Sequence, residues 1–117
     1  MRMVGLRDRT KAFAMRVVRM YLAIPNSAAG QVLGKQVLRS GTSVAANFRE
    51  ASRARSKAEF VAKLGIVEQE LDETVLWLDF IVEAELLPES KIASLREEAE
   101  ELIKIVVASI CKTKEGK

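Results

Sequence analysis

The stretch from Leu38 to Phe60, LRSGTSVAANFREASRARSKAEF, concentrates the residue types that could do chemistry in this chain. Hydroxyl side chains come first, followed by an amide at Asn47, a carboxylate at Glu50 and a cluster of guanidinium groups. A carboxylate beside an arginine can bind or protonate a substrate, but a catalytic pocket also needs a nucleophile or a metal cluster. The chain contains no His, the commonest general base and metal ligand. We therefore expect no enzyme activity, no catalytic residue, no metal and no other cofactor.

The composition is that of one globular domain covering residues 1–117. Apolar residues make up 49% of the chain and charged residues 30%, which is enough apolar surface to build a core. The single Cys, Cys111, excludes an internal disulfide and favours a reducing compartment. The sequence has no apolar run long enough to cross a bilayer and no signal-peptide core at its start. These features predict a cytoplasmic protein with no membrane role.

Apolar periodicity predicts four helices, which cover about residues 8–23, 28–53, 56–87 and 88–112. Pro25 ends the first helix, and Asn26 or Ser27 caps the second. Ser56 and Glu59 form a capping box at the start of the third helix, in which each side chain bonds an unpaired backbone amide. Short connections between four amphipathic helices predict an all-α fold, an up-down-up-down antiparallel four-helix bundle.

The second predicted helix has to pass through Ser40, Gly41 and Thr42, residues that are typical of a loop. The apolar spacing keeps its helical phase across them, so a continuous helix is favoured over a break. Polar side chains at helical spacing then form a line beside the apolar stripe. This polar seam consists of Arg39, Ser43, Asn47 and Glu50, with Glu73 offered by the third helix.

The polar seam has two interpretations besides catalysis. It can be a hydrogen-bonded network that fixes helix register, or it can be a surface that binds a partner. We favour the network. We expect Asn47 and Glu50 to be at least partly buried, with Arg39 or a polar group of the third helix among their partners.

The same residues resemble a known family. The segment LRSGTSVAANFREASRARSKAEFVAKLGIVEQELDETVLWL is similar to the bacterial four-helix-bundle proteins grouped with the 23S rRNA intervening-sequence-encoded protein. The matching positions are Leu38, Arg39, Ser43, Asn47, Glu50, Ala51, Arg53, Ser56, Glu59, Phe60 and Glu73. Asn47 stands three residues before Glu50, one more than in the tightest form of the family pattern.

The resemblance implies a small antiparallel bundle that assembles as a homo-oligomer, in ring-shaped pentamers, with no known catalytic residue to transfer. Some family members are encoded inside inserts in rRNA genes. A related pentameric bundle binds nucleic acid and a reverse transcriptase. The partners implied for this chain are therefore other copies of itself, RNA or DNA, and a protein such as a reverse transcriptase.

Charge is distributed unevenly along the chain. Residues 1–63 carry 13 Lys and Arg against 3 acids, whereas residues 64–117 carry 6 against 13. In an antiparallel bundle the start of the first helix, the turn between the second and third, and the end of the fourth meet at one end. The basic residues expected there, which we call the basic pole, are Arg2, Arg7, Arg9, Lys11, Arg49, Arg53, Arg55, Lys57, Lys112, Lys114 and Lys117.

The basic pole predicts binding to the phosphate backbone of RNA or DNA, with little preference for sequence. The residues expected to carry this binding are Arg7, Arg9, Lys11, Arg49, Arg53, Arg55 and Lys57. Aromatic residues fall at or near inner-face positions, so we expect no platform for base stacking. Two alternatives stay open: a protein-interaction scaffold whose basic pole docks an acidic protein, and charged faces that are simply solvated.

Several apolar residues lie off the main helical stripes, where a monomer would expose them. They are Val18, Leu22, Leu76, Phe80, Ile105 and Val107. Contiguous exposed apolar surface is typical of an interaction site, so these positions also predict a homo-oligomer.

Overall fold

The computed structural model describes residues 4–116, and all the regular secondary structure in this part of the chain is helical. The helices are α1 (Val4–Ala23), α2 (Ala28–Ser52), α3 (Lys57–Glu83) and α4 (Glu89–Lys114). Each packs against its neighbours in sequence, and α1 also touches α4. The molecule measures 48 × 21 × 19 Å, so its length is that of its longer helices. The predicted all-α four-helix bundle is confirmed.

The core is a continuous apolar stripe on each helix. Its largest fully buried side chains are Phe13, Phe48, Leu64, Leu71, Leu78, Ile81, Ile92 and Leu102. Leu6 also belongs to it and is only 2% exposed, which explains why α1 begins at Val4 rather than near Asp8 as predicted. Burial of an apolar side chain stabilises a helical turn that its own propensity would not hold.

The third helix ends earlier than predicted, at Glu83 instead of Leu87. The amide of Leu86 donates to the carbonyl of Ile81 (3.0 Å) and the amide of Glu85 donates to that of Val82 (2.9 Å). This pair of bonds is a Schellman motif, which needs a left-handed residue after the helix. Glu85 supplies it with a φ of 60°. Beyond this turn α4 begins at Glu89 and runs to Lys114, past its predicted end at residue 112.

Helices α2 and α3 each begin directly after a serine that caps them. Ser27 accepts a hydrogen bond from the amide of Gly30 (3.0 Å) and begins α2, and Ser56 accepts one from the amide of Glu59 (3.0 Å) and begins α3. The second half of the capping box differs from the prediction. Glu59 accepts from the amide of Arg55 at 3.1 Å, one residue before the cap, and so fixes the turn between α2 and α3.

The predicted continuity of α2 is confirmed, since the helix runs unbroken from Ala28 to Ser52. Gly41 is buried against Val17 of α1, and a Cβ atom built on Gly41 would lie 2.7–3.0 Å from three Val17 side-chain atoms. Glycine at this position therefore permits the close approach of α1 and α2, which offsets its poor helix propensity.

We predict opposite outcomes for two Gly→Ala substitutions. Gly65→Ala should stabilise the protein by about 1 kcal/mol, because nothing lies within 4 Å of the new Cβ and alanine is the better helix former. Gly41→Ala should destabilise it by up to about 2 kcal/mol, because overpacking against Val17 exceeds the gain in propensity. Chemical denaturation of both variants beside the wild type measures the difference. Equal stabilisation by the two substitutions would contradict the role given to Gly41.

Candidate nucleic-acid interface

The polar seam forms ion pairs between α2 and α3 at the edge of the bundle. Arg39 pairs with both Glu70 and Glu73, and the hydrogen bond to Glu73 is the main cause that raises the pKa of Arg39. One turn from the end of α2, Glu50 pairs with Lys63 at 2.6 Å. The Arg39 side chain is 48% exposed, so these pairs are solvated, and each contributes little to stability.

The burial expected within the seam is only partly found. Asn47 is half-buried, as predicted, but its Nδ2 donates to the backbone carbonyl of Ser43 in its own helix (2.9 Å). The side chain of Glu50 is 56% exposed, so the expectation that it is partly buried is wrong. The seam lies outside the core because helix α2 turns these residues toward solvent.

The polar contact that does cross the core is a hydroxyl pair. Ser40 and Thr74 are both fully buried, and their hydroxyl oxygens lie 2.8 Å apart. Thr74 donates to the carbonyl of Glu70 in its own helix (2.7 Å), which leaves Ser40 to donate to Thr74, and the carbonyl of Val37 is a more distant alternative acceptor for Ser40 (3.3 Å). From the sequence, Ser40 is a residue of the candidate break in α2. Its place three residues after Val37 on the apolar stripe is the signal that indicates burial.

The structure brings the basic pole together around three adjoining surface depressions. The central depression has a volume of about 620 Å³, and its basic lining residues are Arg7, Arg53, Arg55 and Lys57. The α1–α2 depression, of about 430 Å³, is lined by Arg7, Lys11, Arg49 and Arg53, together with Glu50. The α3–α4 depression, of about 530 Å³, is lined by Lys57 and Lys114. The end of the bundle thus carries cations from every helix.

These cations have no carboxylate partners in the part of the chain that the structure describes. Within residues 4–116, no ion pair involves Arg7, Lys11, Arg49, Arg53, Arg55 or Lys57, and all six side chains are exposed. Two of the four carboxylates expected at this end are engaged elsewhere, because Glu50 pairs with Lys63 and Glu59 accepts the amide of Arg55. The other two, Asp8 and Glu115, are exposed and form no ion pair in residues 4–116. The positive charge at this end is therefore directed to solvent.

Arg9 does not belong to this set, contrary to its sequence-based assignment. Its guanidinium makes two hydrogen bonds to Glu98 of α4, at 2.7 and 2.9 Å, and these raise its pKa. A bidentate pair of this kind satisfies the arginine and links α1 to α4. Lys112 is exposed but lines none of the three depressions, and Arg2 and Lys117 lie outside the described residues.

One aromatic side chain is accessible at the basic pole. Phe60 is half-buried on the wall of the central depression, and the fully buried Phe48 lies beneath it. Phe60 packs against the core, as its inner-face position predicts. Part of its ring lines the depression because Phe60 stands in the first turn of α3, at the end of the bundle.

Apolar side chains are exposed away from the pole. As predicted, Leu22, Leu76, Phe80 and Val107 are exposed, by 75%, 47%, 42% and 37%, and Met15 and Val32 join them. Val18 is half-buried, and Ile105 is buried at 9% exposure, so its assignment to the outer surface is wrong. Beside Phe80, with ring centroids 5.9 Å apart, Trp77 has a buried indole nitrogen without a hydrogen-bond partner in residues 4–116.

Two further kinds of site were sought in the described part of the chain. No group of three or more His, Cys, Asp or Glu residues is placed there to hold a metal ion. No helix in residues 4–116 has both the length and the apolar character needed to cross a bilayer.

Comparison with known proteins gives a family match and a match to a solved structure. The family described as 23S rRNA-intervening sequence protein matches residues 5–108. A crystal structure of a protein of unknown function from the S23 ribosomal protein family of Bacteroides thetaiotaomicron superposes with a TM-score of 0.84 and 36% sequence identity, covering 89% of this chain and 96% of that one. No curated protein matches. Because the family match extends over nearly the whole described bundle, the chain belongs to the 23S rRNA-intervening sequence protein family.

Proposed function

We propose that this protein is a non-enzymatic, oligomeric binding module of the cytoplasm that holds RNA or DNA by its phosphate backbone. The observation that carries the proposal is the concentration of cations at one end of the bundle, where they line three adjoining depressions. On the flanks Arg9, Arg39, Lys63 and Arg96 face carboxylates within ion-pair distance, whereas Lys35 and Lys104 form no ion pair in residues 4–116. At the pole six exposed cations face solvent with no such partner in residues 4–116.

A cluster of unpaired cations is suited to phosphate because binding releases condensed counterions from the nucleic acid. Long, solvated Arg and Lys side chains can adapt to a backbone whatever its base sequence. The pole consists of helix ends and a turn, whereas proteins that read base sequence place the face of a helix in the major groove. Binding should accordingly depend strongly on salt and weakly on sequence.

The family name adds support of a limited kind. It refers to an intervening sequence of 23S rRNA, and we take from it only the class of partner, a nucleic acid. The relative of known structure has no assigned function, so the proposal rests on the geometry of the pole.

The oligomeric part of the proposal rests on exposed apolar side chains. Leu76 and Phe80 lie one turn apart on α3, with the half-buried Trp77 beside them. A second copy covering this surface would remove apolar area from water, at about 25 cal/mol per Å². If the copies in an assembly all presented their basic poles on the same side, these poles would together form a larger positive face.

The binding proposal predicts the effect of a double charge reversal. Arg53→Glu with Arg55→Glu should leave the protein folded and oligomeric and should abolish its retention of RNA and DNA. If the variant retains weak binding, its association constant should depend less steeply on salt. The slope of log K against log salt concentration should be smaller in magnitude by about 1.4 to 1.8, because two phosphate contacts are lost. Filter binding across a salt series measures both quantities.

Lys35→Glu with Lys104→Glu is the matched control, since both lysines are exposed and neither forms an ion pair in residues 4–116. It changes the net charge equally and should keep most of the binding. Equal loss in the two variants would show that net charge alone matters. If the wild type retains no nucleic acid at low salt but binds an acidic protein, the scaffold function replaces the proposed one.

The assembly proposal predicts a mass. Light scattering at micromolar concentration should give a multiple of the 13.0 kDa chain mass. Leu76→Asp with Phe80→Asp should lower that mass while circular dichroism stays helical, because a buried carboxylate is costly at an apolar interface. Gln69→Asp, at an exposed polar position of the same helix, is the control and should not change the mass. A monomeric wild type would refute the assembly.

A further inference from the structure

We propose that the nucleic acid at the basic pole is single-stranded and follows one continuous path over the α2–α3 turn. This inference rests on the proposed function and specifies the form of its ligand. In order along the path, the cations are Lys11, Arg49, Arg7, Arg53, Lys57 and Lys114.

The path is continuous because the three depressions share lining residues. Arg7 and Arg53 line both the α1–α2 depression and the central one, and Lys57 lines both the central depression and the α3–α4 one. A backbone leaving one depression therefore enters the next with a cation at each junction. The acid on the path, Glu50, is already paired with Lys63.

The path bends around the end of a narrow body. Lys11 belongs to α1 and Lys114 to α4, and the α2–α3 turn lies between the two outer depressions. The bundle is only 21 by 19 Å across. Duplex DNA is stiff over about 150 base pairs, so a duplex contacting one depression would not curve over this end into the others. A single strand is flexible enough to follow the bend.

The central depression also offers contacts that only unpaired bases can use. The half-buried ring of Phe60 stands on its wall with Arg53 and Arg55, and the partly exposed Ala54 adds apolar surface. Bases of a single strand stack on aromatic rings and on guanidinium planes, whatever their sequence. Bases within a duplex are stacked on each other and cannot reach such a wall.

Binding of labelled oligonucleotides tests the inference. A mixed-sequence single strand of 20 nucleotides and the duplex of the same length are titrated against the full-length protein at several salt concentrations. We expect the single strand to bind more tightly than the duplex at every salt concentration. Equal or tighter binding of the duplex overturns the inference and leaves the proposed function standing, whereas binding of neither ligand removes the proposed function itself.

Two lysine variants test the path. Lys11→Ala and Lys114→Ala should each lower the single-strand salt slope by about 0.7, because each removes one phosphate contact at an end of the path. Lys104→Ala, an exposed lysine that lines none of the depressions, should leave the slope unchanged. Slopes that stay at the wild-type value for both path variants overturn the continuous path.

The stacking contact is tested with Phe60→Leu, which keeps an apolar side chain of similar size. Single-strand affinity should fall about fivefold or more, since stacking of one base is worth at least about 1 kcal/mol. Duplex affinity of the same variant is the internal control and should not change. An equal fall for both ligands, or no fall for either, would contradict stacking on Phe60.

Discussion

Val17 of α1 packs against the bare backbone of α2 at Gly41, and the arrangement of the bundle depends on that contact. It holds α1 close to the middle of α2, at a point where Ser40 turns its hydroxyl to Thr74 of α3. Three helices therefore meet within one turn of α2. Because α2 is continuous through this point, its register is transmitted to its C-terminal end, where Arg49 and Arg53 meet the start of α1.

Charged side chains on the flanks of the bundle and at the basic pole have different surroundings. Along the flanks, where helices lie side by side, several cations pair with carboxylates of a neighbouring helix, as Arg96 of α4 does with Asp79 of α3. At the α2–α3 turn the chain is not helical, and the cations of the basic pole lie near one another without carboxylate partners in residues 4–116. Their mutual repulsion is tolerated because the side chains are solvated, and in water it is small at these separations. A cluster of solvated like charges is the kind of surface that an oppositely charged ligand can neutralise.

Much of this structure can be predicted from the sequence because helical periodicity and caps are local signals. The start of α3 at Ser56 and the passage of α2 through Ser40–Ser43 are of this kind. The end of α3 is not, because Leu86 and Leu87 continue the apolar pattern beyond the point where Glu85 turns left-handed. That turn is set by hydrogen bonds back to Ile81 and Val82.

The candidate site likewise contains residues that sequence signals can place and residues that they cannot. Antiparallel topology is sufficient to place Arg7, Arg53 and Lys57 at one end, since each lies near a helix terminus. The pairing of Arg9 with Glu98 depends on how α1 is rotated and offset relative to α4, and helices that are not consecutive in sequence carry no local signal for this. The exposure of Phe60 likewise depends on where the bundle opens.

The indole of Trp77 has a practical consequence, because it belongs to the only tryptophan in the chain. It lies 20 residues along α3 from Lys57, about 30 Å at the helical rise of about 1.5 Å per residue. Its emission is therefore an intrinsic optical signal from the region of Leu76 and Phe80, remote from the α2–α3 turn. An experimenter can follow events on that part of the surface in unlabelled protein, while a labelled oligonucleotide reports separately on the other end.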